Sequence, residues 1–501
     1  MGLEFRRMLA AVIVLLVAAS GCSDSSVDTG SGPLRAAVCA KVITPVVGEN
    51  HSDPIYMAGF NNDFAATGVH DDLWARGVVL ESGDRKIAIV SLDLVGYFNN
   101  EVQTIRELVD DPSFDLIVVS STHNHEGPDT MGLWGPDELT TGTDLGYLDF
   151  VNATTAECIR EANENLAPAE IRFATGDTNG LSLPPEPDLV ADSVILQHLC
   201  VGGFFDAEGA CIDGIEVEGD PGPIRNSTTP SFQLRRSDDQ ETIATVVNYA
   251  SHPEALGADN SLITSDFPHY MREALEARFG GVAIYVSADV GVLQGPLDIF
   301  LENEDGELIE RRTFAFAERM GELLATAAGD ALEAVDQWSD DPEIEYVQSG
   351  VIDLVVTNPY FDLLGALGVF GRRPVVPLPD GGLEINTEMQ AFRIGPAQFA
   401  VVPNETDPQI ANTYRDQMNG AEHRFLIGMG NDEIGYQMPE AKYNPGCFLC
   451  FQVNIGGDDS EGLCPGEEWN DCGTVFINNI GPQVDPKLQE IMNGLLTELN
   501  S

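Results

Sequence analysis

Basic residues are scarce in this sequence. Its 501 residues include 25 lysines and arginines against 81 aspartates and glutamates, a formal net charge of −56 at pH 7. Such a chain repels phosphate backbones and anionic lipid headgroups, which argues against a nucleic-acid-binding protein. Glycine shows no three-residue period, and 43% of the residues are hydrophobic. These features argue against collagen-like and wholly disordered chains, and the length leaves room for a large folded core.

Long apolar runs are also lacking, apart from Met8–Ala19 near the N-terminus. Two arginines precede this run, and a Ser-Gly-Cys sequence that ends at Cys22 follows it. A short basic region, an apolar region too short to cross a bilayer and small residues before a cut site are typical of a signal peptide. Small residues immediately before a cysteine resemble a bacterial lipobox. Residues 1–21 would then be removed, and Cys22 would carry the lipid.

The segment 22–35 is rich in Ser, Asp and Gly and too poor in apolar residues to fold, which predicts a flexible tether. We therefore expect an exported protein that a lipid anchors in a bacterial cell envelope. Ser23 is not an aspartate-type retention signal, which favours an outer membrane. Because leucine is commoner than Ala19 at its position in a lipobox, a periplasmic or secreted protein is the alternative. The sequence makes no prediction of the oligomeric state.

Export changes how the other eight cysteines are interpreted. In an oxidising compartment they predict disulfide bonds, and Cys200 with Cys211 is a local candidate pair. Four further cysteines lie in a Gly- and Asp-rich insertion, residues 444–473, two of them in a C-x-x-C sequence. Disulfides within the insertion are expected, with a structural zinc knuckle as the alternative.

Short β-branched runs alternate with helical patterns along the rest of the chain. The predicted strands are 77–81, 86–94, 116–120, 243–249, 282–286, 346–356 and 398–402. The predicted helices are 100–110, 146–166, 266–279, 307–336, 407–419 and 484–499. This alternation predicts an α/β fold, a mixed sheet flanked by helices, in one large domain over residues 36–501.

Histidine is rare, with eight in the chain, so its placement is informative. The predicted strand 116–120 runs into T-H-N-H-E-G-P, where His123 and His125 are two residues apart. Side chains two apart on a strand face the same side, so both imidazoles can converge on a metal ion, or one can act as an acid–base group. His252 ends a second apolar strand and Glu405 a third, at the sheet edge where α/β proteins gather their sites.

Plainer interpretations of these residues stay open at this point. The two histidines of the T-H-N-H corner could be solvated, and Glu405 could only stabilise a helix start. A serine hydrolase is disfavoured, because no G-x-S-x-G elbow follows a strand.

Several blocks of the sequence resemble the catalytic domain of the neutral ceramidases, zinc amidases that cleave N-acyl-sphingosine. The most specific block is Thr122–Pro128, which is similar to the family's T-H-T-H-S-G-P. Weaker blocks lie on either side of it, all in the family's order: 36–45, 57–60, 75–93, 248–253, 264–268 and 403–406. The resemblance implies a ceramidase-like zinc hydrolase domain. The chain ends without room for the family's C-terminal immunoglobulin-like domain, so none is expected.

The resemblance also implies a set of site residues. His123, His252 and Glu405 match three zinc ligands of the family, and Tyr436 is the best match for a fourth, a tyrosine. His125 matches the family's second histidine, which contacts the substrate or the attacking water. The implied activity is hydrolysis of an N-acyl amide, such as that of a ceramide-like lipid, by zinc-activated water.

The sequence departs from the family in the groups that would recognise a lipid amide. Gly291 stands at the position of a family serine, and Phe448 at that of a second tyrosine, for which Tyr443 is a replacement only if the loop is rearranged. The family's arginine has no match in 177–184, and His269 replaces a usual glycine. These departures leave two alternatives: a catalytically degenerate binding lipoprotein, and a zinc hydrolase of an ester or a cell-wall amide.

Overall fold

The computed structural model describes residues 32–47, 54–178, 226–291, 295–296, 299–379, 381–439 and 478–501, and the backbone of four short strands between 200 and 216. The helices of these residues are α1 (Asn99–Val109), α2 (Leu145–Glu164), α3 (Phe267–Phe279), α4 (Phe314–Glu333), α5 (Pro359–Leu367), α6 (Pro408–Gln417) and α7 (Val484–Leu499). The strands are β1 (Leu34–Val42), β2 (Gly68–Val69), β3 (Trp74–Ser82), β4 (Arg85–Leu92), β5 (Leu116–Ser121), β6 (Ala167–Asp177), β7 (Cys200–Val201), β8 (Phe204–Phe205), β9 (Cys211–Ile212), β10 (Ile215–Glu216), β11 (Thr228–Arg236), β12 (Thr242–Tyr249), β13 (Leu262–Ile263), β14 (Val282–Ser287), β15 (Ile344–Gln348), β16 (Ile352–Val356), β17 (Val376–Pro377), β18 (Leu383–Thr387), β19 (Gln390–Ile394), β20 (Ala397–Val401), β21 (Glu405–Thr406), β22 (His423–Ile427) and β23 (Tyr436–Gln437).

Two mixed sheets form the centre of the fold. The larger has the strand order β14-β12-β11-β6-β1-β3-β4-β5, and its neighbours are antiparallel except for the parallel pairs β4–β5 and β12–β14. The smaller has the order β15-β19-β20-β22, in which β20 and β22 are parallel. The predicted mixed α/β fold is therefore confirmed.

Alternate side chains on the strands build the layers. On β4, Ile87 and Ile89 pack between the two sheets, whereas Ala88 and Val90 pack toward helices α1 and α2. On β20, Phe399 lies in the core between the sheets, and Ala400 belongs to the core that α6 and α7 cover. Since side chains point alternately to opposite faces, a strand buried on both faces is apolar throughout. The result is a four-layer arrangement: helices, large sheet, small sheet, helices.

Two predicted elements differ from the structure. The predicted strand 346–356 is two strands, β15 and β16, because the chain turns at Gly350, whose φ of +68° favours glycine. The predicted helix 307–336 begins only at Phe314. Thr313 caps it, accepting a hydrogen bond from the Phe316 N–H at 3.2 Å.

The N-terminal boundary of the fold lies slightly before the predicted one. Leu34, predicted to belong to the tether, is part of β1 and pairs with Ser82 of β3. The signal peptide and Cys22 lie outside the described residues, as do the insertion 444–473 and the side chains of the candidate pair Cys200 and Cys211. Among the described helices, none is both long and apolar enough for a membrane span.

One disulfide bond is present among the described residues, in accordance with the predicted use of cysteine. It joins Cys39 of β1 to Cys158 of α2, with the two Cα atoms 5.3 Å apart. Both residues are buried, in the core between the large sheet and the helices that cover it.

Candidate metal centre

His123 and His125 converge through a turn rather than along a strand. Strand β5 ends at Ser121, and His123 adopts a left-handed conformation with φ +65°, which is uncommon for a residue with a side chain. The prediction that the two imidazoles meet is confirmed, but its premise of a continuing strand is wrong. The Nδ1–H of His123 donates a hydrogen bond to the Val95 carbonyl at 2.6 Å. Because a carbonyl only accepts, Nδ1 carries a hydrogen, and Nε2 is the ring nitrogen that faces the centre, 3.2 Å from Glu405 Oε2.

The other site residues come from separate strands. His252 lies three residues beyond the end of β12. Glu405 begins β21, which pairs in parallel with β23 so that Glu405 stands opposite Tyr436. The Tyr436 N–H donates to the Asn478 carbonyl at 2.7 Å, and the Glu405 N–H donates to Gly435 at 3.2 Å. Backbone pairing therefore holds the carboxylate and the phenol side by side.

The side chains meet at one buried point. Glu405 Oε2 lies 3.2 Å from His123 Nε2 and 3.3 Å from His252 Nε2. One ring nitrogen of each of His123, His125 and His252 lies within 4.8 Å of the others. The Glu405 oxygen that faces the histidines is buried and makes no hydrogen bond of regular geometry. A cation at this point would satisfy it, so the donor set fits a metal ion.

Burial and neighbouring groups shift the pKa values of three residues of the centre. Burial would raise the pKa of Glu405, but His123 and His252 hold it well below its usual range, so the group is a carboxylate. Burial, together with His123 and His252, lowers the pKa of His125 well below 6.5, so its ring is neutral. Burial and the nearby Glu405 raise the pKa of Tyr436. The carboxylate is the form in which Glu405 would bind zinc, and the neutral His125 ring retains a lone pair.

All five residues that the sequence singled out for the centre lie together: His123, His125, His252, Glu405 and Tyr436. The structure does not divide them into ligands and acid–base groups, since His125 belongs to the same cluster of nitrogens as the other two histidines.

The remaining described histidines lie elsewhere. His70 Nδ1 is 2.9 Å and His269 Nδ1 3.5 Å from carboxylate oxygens of Asp71. His423 Nδ1 is hydrogen-bonded to Thr175 at 2.9 Å. These contacts assign the three histidines to local structure and not to the centre.

Three buried glutamates of this region were not predicted from the sequence. Glu254 Oε2 lies 3.6 Å from His125 Nδ1, and Glu126 accepts a hydrogen bond from Asn260 at 2.7 Å. Glu433 is only 2% exposed and accepts the Gly435 N–H at 2.7 Å. Burial raises the pKa of Glu126 and of Glu433. The sequence signal that could have found them is their closeness along the chain to the predicted site residues, since each lies within three residues of one.

Gly291, which the sequence resemblance matches to a serine, has no room for a side chain. Its N–H donates to the Thr406 carbonyl at 3.1 Å, and a Cβ on Gly291 would lie 2.5 Å from the Thr406 carbonyl carbon. The backbone of Thr406 therefore occupies the space that a side chain at position 291 would need.

The four-layer α/β fold is similar to that of the neutral ceramidases. The crystal structure of neutral ceramidase from Pseudomonas aeruginosa aligns with a TM-score of 0.64 and 14% identity, over 93% of this chain and 74% of that one. A structure of a ceramidase complexed with C2 aligns with a TM-score of 0.62 and 14% identity, over 93% and 75%. No family model and no curated protein sequence matches the chain. At this identity the comparisons support the predicted resemblance at the level of the fold.

Proposed function

We propose that the protein is a zinc-dependent hydrolase that cuts an N-acyl amide bond with a metal-activated water. The observation that carries the proposal is the convergence of three histidines, two of which contact the buried Glu405 carboxylate. Imidazole nitrogen and carboxylate oxygen are ligands that zinc prefers. The ceramidase-like fold supports amide hydrolysis, and the similar ceramidase complexed with C2 supports a lipid amide as the substrate class.

His123, His252, Glu405 and Tyr436 would hold the zinc. Zinc bound there would polarise the scissile carbonyl and lower the pKa of a bound water toward about 7. The Val95 carbonyl holds His123 in the tautomer that ligation needs. His125, neutral and near the same point, is placed to accept a proton from the water and to return it to the leaving amine.

We further propose that the protein is exported and lipid-anchored in the cell envelope through Cys22. The basic and apolar segments before Cys22 support this placement. The buried disulfide between Cys39 and Cys158 also supports it, because such bonds persist in oxidising compartments.

Elemental analysis of the purified protein tests the centre. We expect a zinc stoichiometry near unity in the wild type and its loss in His252→Ala. His423→Ala is the matched control, because His423 bonds to Thr175 away from the centre and should leave the zinc in place. If the wild type binds no zinc even when zinc is supplied, the hydrolase proposal is wrong, and a binding lipoprotein is the better interpretation.

A zinc hydrolase with a different acyl substrate is the second candidate. The observation that favours it is Gly291, where a side chain such as the family's serine would collide with the Thr406 backbone. A panel of amides and esters with the same acyl chain and matched leaving groups separates the two. Preference for the amide by kcat/KM supports the first candidate, and preference for the ester or a cell-wall amide supports the second. Zinc binding without hydrolysis of any of them would indicate a degenerate enzyme.

A further inference from the structure

A buried carboxyl group lies behind the second histidine of the centre. Glu254 Oε2 is 3.6 Å from His125 Nδ1, and the two side chains are 8% and 11% exposed. The chain around Glu254 is tied to this histidine, because the His125 N–H donates to the Pro253 carbonyl at 3.0 Å. The segment that places His252 at the centre thus also places the Glu254 carboxyl group beside His125.

The surroundings of the His125 ring make Glu254 the candidate hydrogen-bond partner of Nδ1. The Gly59 backbone lies so close that a Cβ there would be 2.4 Å from His125 Cγ. The Phe60 ring meets the imidazole edge-on, with centroids 5.0 Å apart. His125 Nδ1 is buried and makes no hydrogen bond, and Glu254 is the carboxylate within ion-pair distance of it among the described residues. A shift of under about 1 Å would form a hydrogen bond between them.

We propose that Glu254 is a positioning residue that holds His125 with Nδ1–H toward its carboxylate and Nε2 toward the reacting atoms. A carboxylate behind a histidine fixes the ring's tautomer and orientation, and such contacts are often long before the substrate binds. The inference rests on the proposed hydrolase function. In the step that it serves, the water O–H proton moves to His125 Nε2 as the new C–O bond forms. That proton then moves to the amine nitrogen as the C–N bond breaks, which leaves a carboxylic acid and a free amine.

Side-chain ¹⁵N spectra of the histidine-labelled full chain test the positioning without any need for activity. His125→Ala assigns the His125 signals among the eight histidines. We expect Glu254→Gln to move the His125 Nδ1 resonance and Glu126→Gln to leave it in place. Glu126, the residue after His125, is the matched control. It is also a buried glutamate, but its carboxyl group contacts Asn260. An unchanged His125 Nδ1 resonance in Glu254→Gln would overturn the proposal, whatever the protein's activity.

Kinetics tests the consequence. In zinc-loaded protein, Glu254→Gln should lower kcat by about 10- to 100-fold, with KM and zinc content near their wild-type values. In the His125→Ala background the same change should alter kcat by less than about 2-fold, because the group that it positions is gone. Equal losses in both backgrounds would refute positioning through His125. A wild type without hydrolysis would instead contradict the proposed function, and the spectra would still decide the contact.

Discussion

The close approach of Gly59 to His125 leads to a sharp prediction for Gly59→Ala. The added Cβ would lie 2.4 Å from His125 Cγ and 2.6 Å from Nδ1, whereas ordinary contacts begin at 3.4 Å. Gly59 also has a φ of +101°, in the region that favours glycine. Since the backbone of Gly59 is held by its neighbours, we expect the imidazole to move by about 1 Å. A displacement of that size costs roughly 10²-fold in rate when the displaced group takes part in the reaction.

The matched control is Gly420→Ala. Gly420 has a φ of +88°, and nothing lies within 4 Å of the position that its Cβ would take. Both variants therefore carry the backbone cost of about 1–2 kcal/mol, but only Gly59→Ala also forces a contact, at about 1–3 kcal/mol more. Denaturant unfolding and kcat measured on zinc-loaded protein separate the two effects. If Gly59→Ala keeps the kcat of Gly420→Ala, His125 has no part in the rate, and the reasoning about the second histidine is refuted.

Three further predictions concern stability. Burial raises the pKa of Asp266 to about 7 against 3.8 when unfolded, so between these values the folded state retains a proton that the unfolded state has lost. The free energy of unfolding should therefore fall as pH rises from about 4 to 7, by about 4 kcal/mol from this group, and Asp266→Asn should flatten that slope in denaturant titrations. Arg373→Met should cost about 3–5 kcal/mol by the same assay, because the fully buried Asp432 loses its arginine partner at 2.8 Å and keeps only backbone N–H donors. A loss under about 1 kcal/mol would show that the pair is not needed. Replacing Cys39 and Cys158 by alanine should lower the free energy of unfolding by about 2–5 kcal/mol, and an unchanged value would show that the closed chain adds no stability.

Most of the strands that the sequence predicted are buried on both faces, with the half-exposed β15 and β16 as the exception. Strands β4, β5 and β14 read as continuous apolar runs, because they pack between a second sheet and a helix layer. Strands β6 and β11 give no apolar run, because Glu170 and Arg172 interrupt the first and Ser231 and Gln233 the second. Arg172 of β6 is satisfied only by the tertiary fold, through Gln233 of β11 at 2.6 Å and the ring of Trp338. Such partners are distant in sequence and leave no local signal.

A residue of the centre could be predicted from the sequence when its amino-acid type is rare in the chain. Eight histidines in 501 residues make their position at strand ends informative, and His123, His125 and His252 were found in this way. Glu254 and Glu433 were missed because the chain has 81 acidic residues, so one more glutamate carries little information. Burial separates these two from the solvated majority, and only the fold shows burial.

The disulfide bond between Cys39 and Cys158 closes a loop of the chain that contains some residues of the centre and not others. It closes a ring with a sequence separation of 119 residues, and both His123 and His125 lie inside that ring while His252 and Glu405 lie outside. A metal ion at the centre would therefore link the disulfide-closed loop to the remainder of the chain. Oxidation and metal binding favour the same folded state, so by linkage each strengthens the other. A reductant should then weaken zinc binding without altering any ligand, and apo-protein should lose its disulfide to a thiol more readily than zinc-loaded protein.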